Sequence, residues 1–199
     1  MKKRDLKEIE QRILKIAIEI AKESQGALFV IGDNIKYERL LKQKLKSFNI
    51  FEKGAEKILK GLAVIDGALI IDKRGDVKDY GVLIKETKPF IGFGTRHAAA
   101  VSASKNNNLA ILVSEEERKV KIFQNGRYIM QIDPFQKNIE KRIPFISKIL
   151  EAAGAGVIGT IGTVVIAPTL GIALIPGIIL FGGSYFAIKS FLEKNKKFY

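Results

Sequence analysis

From Ala152 to Ile188 the chain carries no charged residue. No other feature narrows its fold as much, because one bilayer crossing needs only about 20 apolar residues. The run is rich in Gly, Ala, Ile and Leu, with Pro168 and Pro176 near its middle. Ala167-Pro168-Thr169 through Pro176-Gly177 reads as a turn. We therefore expect a hairpin of two short membrane helices, packed through small residues such as Gly154, Gly159 and Gly162. Lys148 lies before the run, and Lys189, Lys194, Lys196 and Lys197 lie after it. Positive charge on both flanks favours placing both ends on the cytoplasmic side of a cell membrane. One kinked span, or an apolar helical pair buried in a soluble oligomer, would fit the same composition. The chain then divides into a folded domain (1–134), a basic linker or short helix interrupted by Pro144 (135–151), the membrane hairpin (152–188) and a basic tail (189–199).

The folded part has enough apolar residues for a core, since 47% of the chain is hydrophobic. There is no cysteine, which excludes disulfides, cysteine metal sites and cysteine nucleophiles. The net charge is +13. A nucleic acid, an anionic nucleotide and an anionic membrane surface would each suit that balance. No basic stripe with interleaved aromatics is evident, so no specific nucleic-acid partner is expected. Part of the lysine excess is a solvated face. Met1 to Arg4 is basic but lacks the apolar stretch that a signal peptide requires.

Apolar spacing predicts helices over Asp5–Ser24, Ile35–Phe48, Gly54–Leu62 and Thr95–Lys105. Short apolar runs predict strands at Ala27–Ile31, Ala68–Ile71, Val77–Ile84 and Leu109–Ser114. Two more, Val120–Gln124 and Tyr128–Ile132, flank Asn125-Gly126, a strong hairpin signal. Hairpins mixed with helices imply an α/β fold with a mixed sheet flanked by helices.

Three stretches carry candidate chemistry. In Gly92-Phe93-Gly94-Thr95-Arg96-His97, glycines lead into Thr95 as a helix cap, with Arg96 and the chain's one histidine in the first turn. A helix start of this kind favours an anion, phosphate above all, although a capped surface helix with a solvated arginine has the same spelling. Asp66-Gly67-Ala68 opens an apolar strand, where a carboxylate beside glycine can face a ligand or serve only a turn. Ser114-Glu115-Glu116 ends another strand with a hydroxyl and two carboxylates.

Together, in this order, Asp66-Gly67-Ala68, Gly94-Thr95-Arg96-His97 and Ser114-Glu115-Glu116 resemble the diadenylate cyclase (DisA-type, DAC) domain family, over roughly residues 8 to 133. The resemblance implies a DAC domain at 1–134 that condenses two ATP into cyclic di-AMP and releases two pyrophosphates. It implies a face-to-face homodimer and a divalent cation, Mn²⁺ or Mg²⁺. Asp66 would activate the 3′-hydroxyl and, with Glu115, hold the metal. Gly67 would leave room for the nucleotide beside Ala68. Gly94, Thr95, Arg96 and His97 would hold phosphates, Ser114 and Glu115 would contact phosphate or metal, and Leu83 would pack on adenine. Ala98 stands where many members have arginine, and Ile65 where some have histidine. Those departures leave a second reading open, a membrane-tethered nucleotide-binding or sensor module without turnover. A basic membrane-surface or nucleic-acid binder is a weaker third.

Overall fold

The structure is a computed structural model that describes residues 6–42, 46–85, 87, 94–154, 166–167, 172–175 and 177–181. Helix α1 (Leu6–Lys22) carries its apolar residues at three-to-four spacing and buries Ile9, Ile13, Leu14, Ile16, Ala17, Ile18, Ile20 and Ala21. Each isoleucine buried in this way contributes about 1.5–3 kcal/mol of apolar transfer. Strands β1 (Ala27–Ile31), β2 (Tyr37–Arg39), β3 (Ala68–Ile71), β4 (Val77–Ile84), β5 (Leu109–Ser114), β6 (Lys119–Gln124) and β7 (Arg127–Ile132) follow. Helix α2 (Ala55–Ala63) lies between β2 and β3, and helix α3 (Thr95–Ala103) between β4 and β5. After β7 come a 3-10 turn (Ile139–Arg142), helix α4 (Ile143–Gly154) and strands β8 (Ile166–Ala167), β9 (Ile172–Ile175) and β10 (Ile178–Phe181).

The strands form one sheet in the order β2-β4-β3-β1-β5-β6-β7-β10-β9-β8. Within it β1 and β3 run parallel, and the other pairings are antiparallel. The expected mixed sheet flanked by helices is therefore present. One face packs on α1, α2 and α4. The opposite face packs on α3 through Leu28, Val30, Ile70, Ala100 and Leu112.

Two expected elements take a different form. Helical spacing over Ile35–Phe48 gives way to β2, which pairs with β4 through Tyr37↔Ile84, Glu38↔Leu83 and Arg39↔Val82. Without β2, β4 would end the sheet with a row of unpaired backbone groups, and that pairing outweighs a modest helix propensity. Leu40, which helical spacing with Leu41, Leu45 and Phe48 would place on a buried stripe, is half-exposed. Residues 43–45 of this expected helix lie outside the described residues.

The uncharged run also departs from expectation. Its described residues beyond α4 form strands instead of membrane helices. β10 continues the sheet at β7, with Ile178↔Ile132 and Ile179↔Gln131 in register, and β9 pairs with β10. Gly177 lies in the turn before β10, at φ 79°, with its carbonyl accepting the Asp133 N–H at 2.7 Å. Isoleucine-rich segments punctuated by Gly and Pro suit strands better than helices, and an open β7 edge supplies the partner. No helix among the described residues is long and apolar enough to cross a membrane. The remainder of 155–188 and the tail at 189–199 lie outside the described residues.

Between these regions, Pro144 does not interrupt a helix. It occupies the first turn of α4, where a proline's missing N–H costs nothing. Ile143, Ile146, Ile149 and Leu150 then bury that helix in the same core as α1.

Candidate functional site

Sheet register explains why three distant motifs meet. β1 and β3 run parallel with Phe29↔Leu69 in register, while β5 runs antiparallel with Ala27↔Val113. The starts of β1 and β3 and the end of β5 therefore share one edge. Asp66 and Gly67 precede β3, and Ser114-Glu115-Glu116 close and follow β5. The N-terminus of α3 reaches the same edge. Asp66, Gly94, Thr95, Arg96, His97, Leu112, Val113, Ser114, Glu115 and Glu116 line one cleft of about 360 Å³.

Across this cleft Arg96 Nη2 lies 3.3 Å from Asp66 Oδ1, and the same oxygen accepts the Gly67 N–H at 3.1 Å. The aspartate side chain is 86% exposed and the arginine 41%. The pair is thus an open contact that an incoming anion and cation can divide between them. Gly94, not Thr95, occupies the cap position of α3, and no side chain caps the helix there. Thr95 is the first helical residue, because extended backbone at Gly94 (ψ 168°) already turns the chain inward. Uncapped N–H groups and the dipole of the helix start remain to favour an anion. Ser114 Oγ accepts the Glu117 N–H at 3.4 Å, so its hydroxyl also braces the β5–β6 turn.

Not every candidate reaches the cleft. Leu83 lies on β4 beside β2, is 54% exposed, and is not among the lining residues. Ala68 is buried under the α3 face. Gly67 has φ 102°, and a Cβ there would stand 2.6 Å from the Val82 nitrogen and 2.7 Å from the Gly81 carbonyl carbon. The space beside Gly67 thus belongs to the β4 backbone, and the glycine permits this close approach. Ala98, on the second turn of α3, is buried and presents no side chain to the cleft.

Two participants were not found from sequence. Gly26 lies under Arg96, and a Cβ added there would overlap the Arg96 Nη1 and stand 3.5 Å from Glu115 Cβ. Its sequence signal was only that of a helix stop. Lys121 on β6 is 2% exposed, although it reads as one more surface lysine. Its Nζ lies 2.9 Å from His97 Nε2 and also bonds Glu117 Oε1. The alternation Lys119-Val120-Lys121-Ile122-Phe123 was compatible with it pointing either way.

Asp66 and Glu115 are the carboxylates proposed for a cation, and both line the cleft. Among the described residues no group of three or more His, Asp or Glu forms a ready-made metal site. Exposed carboxylate oxygens of this kind suit a hard divalent ion that keeps water and substrate oxygens.

A family model described as DAC, DisA bacterial checkpoint controller nucleotide-binding, matches residues 15–128. A protein named diadenylate cyclase from Methanocaldococcus jannaschii is 34% identical over 148 residues, covering 66% of this chain and 46% of that protein. Another of that name from Haloferax volcanii is 30% identical over 140 residues, covering 61% and 51%. The chain thus spans about half the length of these curated relatives. A solved structure of a double mutant of DacA from Staphylococcus aureus aligns with TM-score 0.47 and 20% identity over 76% of this chain and 97% of that one.

Proposed function

This chain belongs to the DAC nucleotide-binding family, and from that premise we propose that it is a diadenylate cyclase, joining two ATP into cyclic di-AMP and releasing two pyrophosphates. The observation that carries the proposal is the convergence of Asp66 and Arg96 on one cleft, 3.3 Å apart, at the uncapped start of α3.

In each half-reaction a 3′-hydroxyl oxygen bonds to the α-phosphorus of the other nucleotide. The bond from that phosphorus to the α,β-bridging oxygen breaks, and pyrophosphate leaves. Asp66 orients the hydroxyl and takes up its proton. Arg96 turns from Asp66 to the triphosphate and offsets its charge with a planar, permanently charged fork. Thr95 and His97 hold phosphate oxygens from the first turn of α3, and Gly94 admits them without a side chain in the way. Ser114 and Glu115 border the same phosphates. Asp66 and Glu115 would hold Mn²⁺ or Mg²⁺, which supplies Lewis-acid polarisation of the reacting oxygens when bound. One cleft holds one ATP, so a second copy of the chain must bring the other. A face-to-face homodimer is the simplest arrangement.

The test is incubation of the purified chain with ATP and Mn²⁺ or Mg²⁺, with product identified by mass. Cyclic di-AMP and pyrophosphate in a one-to-two ratio are expected. ATP binding without pyrophosphate release would favour instead a non-catalytic nucleotide sensor, the reading that Ala98 and Ile65, in place of arginine and histidine, support.

A further inference from the structure

We propose that Lys121 is a positioning residue that holds His97 as its Nδ1–H tautomer, so that the imidazole meets a bound triphosphate as a hydrogen-bond donor. This deepens the proposed nucleotide site and rests on it.

The inference starts from burial. A lysine with 2% exposure is unusual, and it stays inside only where its ammonium is paired. Lys121 stands opposite Leu112 of β5, which itself lines the cleft. Its ammonium bonds Glu117 Oε1 on one side and meets His97 Nε2 at 2.9 Å on the other. An ammonium has three donors and no acceptor. At that distance Nε2 must therefore supply the lone pair, and the proton of the neutral ring sits on Nδ1.

Packing fixes the ring as well as its proton. Phe123 lies two residues along β6, on the same face as Lys121. Its ring meets the imidazole at 6.3 Å between centroids and 84° between planes. Tyr128 stacks on Phe123 at 4.8 Å, and its hydroxyl donates to Gln131 Oε1 at 3.0 Å. The imidazole is held by a charge-assisted bond and an aromatic edge, both on the rigid sheet, while its backbone belongs to the first turn of α3. A lone pair turned toward phosphate would repel it. The Nδ1–H form removes that repulsion before the nucleotide arrives.

His97 is the one histidine in the chain, so its nitrogens give an unambiguous signal. Long-range proton–nitrogen correlation on the ¹⁵N-labelled full chain, at about pH 8 where histidines are ordinarily neutral, should show Nδ1 protonated and Nε2 bare. Lys121→Met keeps the length of the side chain and should move the proton toward Nε2, the form that free histidine prefers. Lys121→Arg should restore Nδ1–H. In ATP turnover, Lys121→Met should raise KM for ATP about tenfold, the worth of one lost hydrogen bond to a charged group, and Lys121→Arg should bring it back. An Nε2–H ring in the unmodified chain overturns the proposal without any variant, and so does a Lys121→Met ring identical to the unmodified one. If the chain makes no cyclic di-AMP, the functional reading fails, but the tautomer still decides the role of Lys121.

Discussion

Two of the aspartate–arginine pairs among the described residues differ in the burial of their carboxylates. Asp66 and Arg96 meet at the mouth of the cleft, where the aspartate is 86% exposed. Asp79 on β4 and Arg39 on β2 meet across the strand pairing, where the aspartate side chain is 2% exposed. Asp79 also accepts the Tyr80 N–H at 3.1 Å. Burial, followed by the charge of Asp79, pushes the neighbouring Tyr37 hydroxyl above its usual range. Water competes for the first pair, so it costs little to open and is available to a ligand. In the second the aspartate has given up its water while Arg39 stays 43% exposed, so the buried carboxylate depends on that partner and the pair belongs to the fold. One pair of residue types thus serves exchange at one site and cohesion at the other.

The comparison breaks most visibly at Asp66. Asp66→Asn should lower cyclic di-AMP formation by about 10³-fold while changing unfolding free energy by less than about 0.5 kcal/mol. Turnover assays and denaturant titration read the two effects, and a large loss of stability would mean that the open pair is structural after all. Asp79→Ala should do the reverse, costing about 2 kcal/mol of stability and leaving ATP affinity intact in the folded fraction. A neutral denaturation midpoint would contradict the cohesive role.

Smaller effects sharpen the contrast. Gly26→Ala crowds the Arg96 guanidinium from below and should weaken ATP binding about tenfold, the worth of one charge-assisted hydrogen bond, as measured by calorimetry. The smallest effect is one of pH. Burial pushes the Asp72 carboxyl up, but the Asp76 N–H, Lys78, the Arg74 N–H and the Arg74 guanidinium outweigh it and hold it below its ordinary 3.8. A carboxyl lowered in the folded state stabilises the fold above about pH 4 and loses that contribution as pH falls further. Unfolding midpoints measured downward from pH 5 should therefore decline, and Asp72→Asn should flatten the decline.

Much of the cleft is legible in the sequence. Asp66, Arg96, His97 and Ser114 to Glu116 sit at strand and helix ends whose local spelling gives those ends away. Most of the strands were legible for the same reason, since short β-branched runs between turn residues specify themselves. Residues 35–48 misled because Leu40, Leu41, Leu45 and Phe48 fall at helical spacing, whereas the segment that pairs is Tyr37–Arg39, and only the open side of β4 selects it. Leu83 was placed by resemblance, but the pairing of β4 with β2 sets it apart from the cleft lining.

The sequence by itself determined the local units: the amphipathic α1, the Asn125-Gly126 hairpin, the glycine-led start of α3, and the carboxylates at the strand ends. Their chemistry follows from side chains and near neighbours, which any reader of the chain possesses. Tertiary structure alone decided that Lys121 turns inward to His97, that Gly26 underlies Arg96, and that Ile178 extends the sheet at β7. Each depends on a partner far along the chain, and the free energy of such a contact exists only once folding has brought the two surfaces together.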